Sequence, residues 1–306
     1  MNCLPSNWGR AERLLAQAIA WAALFLPPTS LAQTPRNNEH AAPARDTSAK
    51  DLTGYLLGAD VHRAGPGGPD LRGKDPPVLP ANVIVDKLIA ASARRSALLR
   101  GYRGTRFYHL QYHGLLGTRD ASMQVLTTYT APDQRNFSIV SETGSKLLLN
   151  RVLMKALESE KEAFQNQKQI ELSPANYQFD LLGTDRTTGE NPCYVLGVKP
   201  RKDNKFLYHG KIWVDAQDFA VVRMQGQPAK SPSFWIKDTD IESSWERVGE
   251  FWLIRQNRSV SHIRMGGMAT LTIDYNDYQI TGVGGGSQGR SQSPSLPDPS
   301  SVTPQR

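Results

Sequence analysis

The sequence predicts an α+β domain built mainly of antiparallel strands, with two helical segments to cover one face of the sheet. Three observations carry that reading. From residue 178 onward, strand-length runs rich in β-branched and aromatic residues follow one another, separated by polar turns with no helix between them. Only two stretches, near 82–100 and 145–168, change to a helical period. Between a Pro/Gly-rich leader and a Gly/Ser/Pro-rich tail, about 200 residues keep a globular pattern, enough for one domain with a real core.

The first helix is expected from Asn82, which can cap it. Val85, Leu88, Ile89 and Ser92 fall on one face, and Leu98 and Leu99 extend that face. Arg94, Arg95 and Arg100 suit the negative end of the helix dipole, and Gly101 and Gly104 are expected to stop the helix. Three strands follow, Phe107–His113, Met123–Tyr129 and Asn136–Val140, with the turn Ala131-Pro132-Asp133 between the last two. Leu147, Val152, Leu153, Ala156, Leu157 and Phe164 then form a broken helical stripe, and Glu158, Glu160, Lys161 and Glu162 are placed on its solvent side. Gln178–Leu182 returns to strand. After the polar turn Thr184–Pro192 come Cys193–Pro200, Leu207–Val214, Phe219–Gln225, Phe234–Lys237, Ile241–Val248, Trp252–His262 and Met268–Ile280. Strands in this order argue an antiparallel meander.

The ends of the chain bound where the protein works. Arg10 and Arg13 precede the apolar run Leu14–Leu26, which Pro27-Pro28 stops. Ser30-Leu31-Ala32 then places small residues at the −3 and −1 positions of a cleavage site before Gln33. This layout predicts a cleavable secretory signal peptide over 1–32. The run is too short for a bilayer-spanning helix, which needs roughly 20 apolar residues. No cysteine follows the cleavage site to carry a lipid anchor, and no later segment is apolar enough to span a membrane. The expected location is the periplasm. Residues 33–80 read as a flexible leader, 81–281 as the domain and 282–306 as a disordered tail.

Charge and cysteine content narrow the chemistry. The net charge of +7 falls to +6 without the signal peptide and is spread along the chain. No block of like charge marks a nucleic-acid arm, so no nucleic-acid partner is expected. Cys3 leaves with the signal, and Cys193 then stands alone in the strand-like run Pro192–Val198, where it reads as a buried thiol. The chain has no Gly-x-Ser-x-Gly, phosphate loop, His-Glu-x-x-His or dinucleotide fingerprint. His109 and His113 are four residues apart on a strand, roughly 13 Å, too far for one ion. His209 and His262 read as isolated. Asp238, Asp240 and Glu242 alternate along one strand face as a polar edge, whereas calcium needs six or more oxygens from a curled loop. These residues predict no metal, no cofactor and no enzyme. A secreted hydrolase using the three carboxylates is the lesser alternative.

Aromatic residues are more telling. Trp213, Phe234, Trp235, Trp245, Phe251 and Trp252 crowd the C-terminal half. An antiparallel sheet needs one apolar face, yet Phe219 and Val221 alternate with Ala220, Val222 and Met224. A strongly curved sheet capped by helices around an apolar cavity fits this pattern, and so does an ordinary filled core.

One resemblance bears on that choice. The stretch Lys211–Arg223 is similar to the strand, acidic turn and strand of LolA-like outer-membrane lipoprotein-sorting proteins. Gly249–Gln256 followed by Met265–Tyr278 resembles the end of the same family. The likeness spans roughly residues 82–280. It implies a half-barrel of antiparallel strands with helices as a lid, and acyl chains of lipoproteins or related lipids held on the concave face. It also implies a carrier or sensor rather than a catalyst. The chain departs from the sorting carriers in its long leader and tail, and it lacks the second domain of the RseB-like stress sensors. The expectation is a monomeric periplasmic carrier whose cavity candidates are Trp213, Phe234, Trp245, Trp252, Leu271, Ile273 and Tyr275. A one-residue slip of strand parity would turn each of these outward. The alternative is a sensor or adaptor of the same fold that binds a membrane-protein partner.

Overall fold

A computed structural model describes residues 76–114, 117–188, 191–204, 206–231, 234, 236–264 and 266–283. The expected signal peptide, nearly all of the leader and nearly all of the tail lie outside the described residues. Helix α1 (Ala81–Leu98) leads into β1 (Leu99–Gly114), β2 (Gly117–Thr130) and β3 (Gln134–Gly144). A helical insert follows, made of α2 (Lys146–Leu148), a wide π-helical turn (Leu149–Leu153), α3 (Met154–Gln165) and α4 (Gln167–Ile170). The chain then runs through β4 (Tyr177–Asp185), β5 (Cys193–Pro200), β6 (Tyr208–Asp215), β7 (Val221–Pro228), β8 (Ile236–Val248), β9 (Phe251–Ile263) and β10 (Gly267–Val283).

All ten strands form one open antiparallel sheet in the order β3-β2-β1-β10-β9-β8-β7-β6-β5-β4. The seven later strands are a plain meander, as the run of strands and turns predicts. Pairing of β10 with β1 joins them to the first three. The two edges are β3 and β4, and the helical insert is the connection between them. Gly144 holds φ at +89°, and a Cβ there would meet the Asp120 carbonyl oxygen at 2.5 Å, so glycine suits the turn out of β3.

Alternation explains the core. Tyr108, Leu110 and Tyr112 of β1 face inward with Ala121, Met123 and Val125 of β2 and Ala269, Leu271, Ile273 and Tyr275 of β10. Ile84, Val85 and Leu88 of α1 join them in one buried cluster, together with Leu148, Leu149, Val152, Leu153 and Ala156 of the insert. The double apolarity of the later strands has a local cause. Cys193, Trp213 and Val222 form a separate small cluster, with Val195 and Trp252 packed against it.

Several local expectations change. Asn82 does not cap α1. The helix follows Pro80, whose carbonyl accepts the Ile84 N–H, with no side-chain cap. Gly101 and Gly104 do not stop it either, because strand β1 begins at Leu99 and both glycines lie inside it at register shifts against β10. A Cβ on Gly104 would meet the Tyr278 ring at 3.1 Å, so this glycine makes room for that ring. Phe234–Lys237 and Ile241–Val248 are not two strands. Strand β8 runs unbroken from Ile236, and Phe234 precedes it. Phe219 leaves its strand for a turn, with φ at 47°.

Cys193 is fully buried, and burial together with the carboxylates of Asp215 and Asp185 pushes its thiol up to about 12. The thiolate is the reactive species. Native protein is therefore expected to resist iodoacetamide at neutral to mildly alkaline pH and to be alkylated once unfolded in guanidinium, which mass spectrometry reads directly.

Candidate functional site

One side of α1 leaves a gap. Leu88, Ile89, Ser92, Arg95 and Ser96 of the helix, with Leu99 where β1 begins, face Ala220 and Val221, Trp245 of β8, Phe251–Ile254 of β9 and Tyr278 of β10. Tyr102, Arg135 and the segment 171–173 complete the lining of a partly open cavity of about 220 Å³. The helical spacing that carries Leu88 into the core also carries Ser92 and Ser96 along the cavity wall.

The wall is tied down by the turn after β6. Asp215 Oδ1 accepts the backbone N–H groups of Gln217 and Asp218, both at 2.8 Å. Arg95 reaches from α1 to the same turn and donates to the carbonyls of Asp218 (2.8 Å) and Phe219 (3.1 Å). Trp252 Nε1 donates to Asp218 Oδ2 at 2.9 Å, so the turn fixes both a helix and a strand of the cavity. On the other side Tyr278 donates its hydroxyl to the Ile254 carbonyl at 2.8 Å and meets the Tyr102 ring edge-on at 5.6 Å.

Next to the cavity lies a buried charge cluster. Glu160 of α3 is fully buried, not on the solvent side where the helical stripe placed it. Arg106 of β1 donates to its Oε1, and the Tyr108 hydroxyl donates to its Oε2 at 3.1 Å. Burial, followed by the Glu160 carboxylate, pushes the Tyr108 phenol up and keeps it a neutral donor. Arg135 of β3 stops 3.9 Å short of Glu160, its guanidinium over the rings of Phe164 (4.3 Å) and Tyr129 (5.8 Å).

The structure separates the seven sequence-named cavity candidates. Trp245 and Trp252 line the cavity. Leu271, Ile273 and Tyr275 sit in the main core at 0–1% exposure. Trp213 belongs to the small Cys193 cluster, donates Nε1 to Asp185 Oδ2 at 2.8 Å and carries Arg223 over its ring. Phe234 is 74% exposed, with Arg264 over its ring. The residues that sequence reading left out are Arg95, Arg135 and Ser173. Ser92 was already on the right face of the first helix.

His262 is not isolated. It stands opposite Asp238 across the β8–β9 pair, and its Nδ1 donates to Asp238 Oδ1 at 2.5 Å. Asp238, Asp240 and His262 bring candidate ligand atoms within 4.8 Å of one another. Gln227 already donates to Asp240 Oδ1 at 2.9 Å. Glu242, the third alternating carboxylate, is taken by Arg223 Nε and Nη2 at 2.9 and 2.6 Å. His109 and His113 each pair with a hydroxyl across the β1–β2 pair, Ser122 and Thr118 respectively. Among the described residues no helix is long and apolar enough to cross a membrane.

No family model and no curated protein matches the sequence. Solved structures do match. A DUF1329 family protein from Desulfovibrio piger is 12% identical, covers 67% of this chain and 94% of its own, and gives a TM-score of 0.35. A putative outer membrane lipoprotein-sorting protein domain from Vibrio parahaemolyticus is 9% identical over 67% and 94%, with a TM-score of 0.32. A LolA superfamily protein from Nitrosomonas europaea is 9% identical over 66% and 94%, with a TM-score of 0.31. Identities this low transfer no residue roles. The chain is thus similar in structure, at low identity, to LolA superfamily, outer-membrane lipoprotein-sorting and DUF1329 proteins.

Proposed function

We propose that the protein is a periplasmic binding protein that holds acyl chains of lipids or lipoproteins in the cavity beside α1, the sheet serving as a half-barrel and the helices as its cover. The observation that carries this reading is the cavity itself. A space of about 220 Å³, partly open to solvent, lies between largely apolar walls, while Ile84, Val85, Leu271 and Ile273 nearby are packed to 0–1% exposure. An acyl chain laid along these walls removes their apolar area from water, a gain of about 25 cal/mol per Å². The signal-peptide layout of residues 1–32 supports the location.

Magnitudes set the terms. Each buried methylene contributes about 0.8 kcal/mol, so some ten methylenes supply about 8 kcal/mol, the scale of a micromolar complex. The cavity is smaller than the roughly 300–1,000 Å³ of a site for a drug-sized ligand. A long chain is therefore fully enclosed only when one wall gives way.

The test is a titration of a fluorescent fatty acid, read also through quenching of Trp245 and Trp252. Micromolar binding is expected. Ser92→Trp, which fills the cavity from its helical wall, is expected to weaken binding about tenfold or more while leaving the folded far-UV spectrum intact. If wild-type protein purified gently from the periplasm carries no acyl species by native mass spectrometry and binds no probe at tens of micromolar, the reading fails.

A further inference from the structure

The cavity is apolar in its walls but not in its unmet hydrogen bonds. Among the described residues, four buried side-chain atoms of residues that line this cavity have no hydrogen-bond partner: Arg135 Nε and Nη1, Trp245 Nε1 and Ser173 Oγ. Three of those four are N–H donors, and the serine hydroxyl can donate as well. A site built only for hydrocarbon gains nothing from donors, and each buried unmet donor costs about 1–3 kcal/mol.

Arg135 is the centre of the argument. Its side chain is only 6% exposed, and a guanidinium does not shed its proton. The one carboxylate beside it, Glu160, already accepts from Arg106 and Tyr108. Its 3.9 Å separation from Arg135 is beyond hydrogen-bonding distance. Glu171 lines the cavity too but forms no ion pair with Arg135. The buried cluster of Arg106, Arg135 and Glu160 therefore keeps one positive charge in excess. Stacking on Phe164 and Tyr129 offsets part of that cost and holds the guanidinium in place. Arg95, the other cation of the wall, is committed to the carbonyls of Asp218 and Phe219.

We infer that the ligand is an anionic amphiphile, with a carboxylate or phosphate head bound by the Arg135 guanidinium and its hydrocarbon tail lying along α1 and β9. This rests on the reading of the cavity as an acyl-chain site and adds to it the chemistry of the head. An oxyanion that accepts from Arg135 cancels the excess charge, and a hydrogen bond between two ions is about twice as strong as a neutral one.

Three ligands of equal chain length, dodecanoate, dodecyl phosphate and dodecanol, separate the possibilities by isothermal titration with the full exported chain. Wild-type protein is expected to bind at least one of the two anions about tenfold or more tightly than the alcohol. Arg135→Met is expected to lose that preference while its affinity for dodecanol stays within about threefold. Arg135→Lys, which keeps the charge, is expected to retain part of it. If wild-type protein binds the alcohol as well as both anions, the anionic head is overturned and the acyl-chain reading stands. If none of the three binds, both fall. Displacement of dodecanoate by excess inorganic phosphate would assign the donors to a free anion and overturn the amphiphile. The wild-type comparison decides the matter even where a variant fails to fold.

Discussion

Glu160→Ala is expected to lower the free energy of unfolding by about 3–5 kcal/mol, the cost of removing one partner from a buried ion pair. The carboxylate is fully buried and takes Arg106 on one oxygen and Tyr108 on the other, so its loss strands a guanidinium that is itself only 3% exposed. The pair also ties α3 to β1, the strand that joins β2 and β3 to the rest of the sheet. Guanidinium denaturation followed by tryptophan fluorescence measures the change. Replacing both partners with apolar residues of similar size, Arg106→Met with Glu160→Leu, is expected to recover most of the loss, because no charge is then left unpaired. A change below about 1 kcal/mol in Glu160→Ala would mean that Glu160 is solvated and that α3 does not pack as described.

Leu271→Ala is expected to cost about 2–5 kcal/mol, the range for a buried leucine whose surroundings cannot collapse onto the space. Leu271 is fully buried and lies opposite Leu110 across the β1–β10 seam. Through that seam alone β1, β2 and β3 join the sheet of the other strands. The same variant separates two roles for the residue. As a core side chain it should lower stability and leave dodecanoate affinity unchanged, with affinity measured where the variant is still folded. A large change in affinity with stability held within about 1 kcal/mol would place Leu271 on the ligand instead.

Much of the fold is legible in the sequence because strands announce themselves by alternation and turns by their residues. The turn Asp215-Ala216-Gln217-Asp218 is an example, since an aspartate that accepts the next two or three N–H groups is a local event. What stays hidden depends on partners distant in the chain. Gly101 and Gly104 look like helix stops because nothing local reveals the Tyr278 ring that needs the space beside Gly104. Glu160 was partly legible. It falls four residues after Ala156 and three after Leu157, on the buried side of α3, but a carboxylate on an apolar face is credible only once Arg106 is known to stand opposite. Arg135 had a weaker signal still. It shares a strand face with Phe137 in an edge strand that is otherwise largely exposed. Only the return of the insert brings Phe164 over it. The aromatic-rich segments drew attention to Trp245 and Trp252, but a count of aromatics does not tell the cavity wall from the core of Tyr275 or the outer cluster of Trp213.

The fusion of α1 to β1 without a loop decides which wall can give way. Ile84, Val85 and Leu88 are buried to between 0 and 4% exposure, and Arg95 is clamped to the turn after β6. Swinging the helix outward would return three apolar side chains to water, roughly 5–9 kcal/mol in all, as much as a bound chain supplies. Such a helix is a fixed jaw. The cheaper movement belongs to the half-buried residues 171–173 between α4 and β4, which are the part of the lining the proposed chain would displace without the core coming apart.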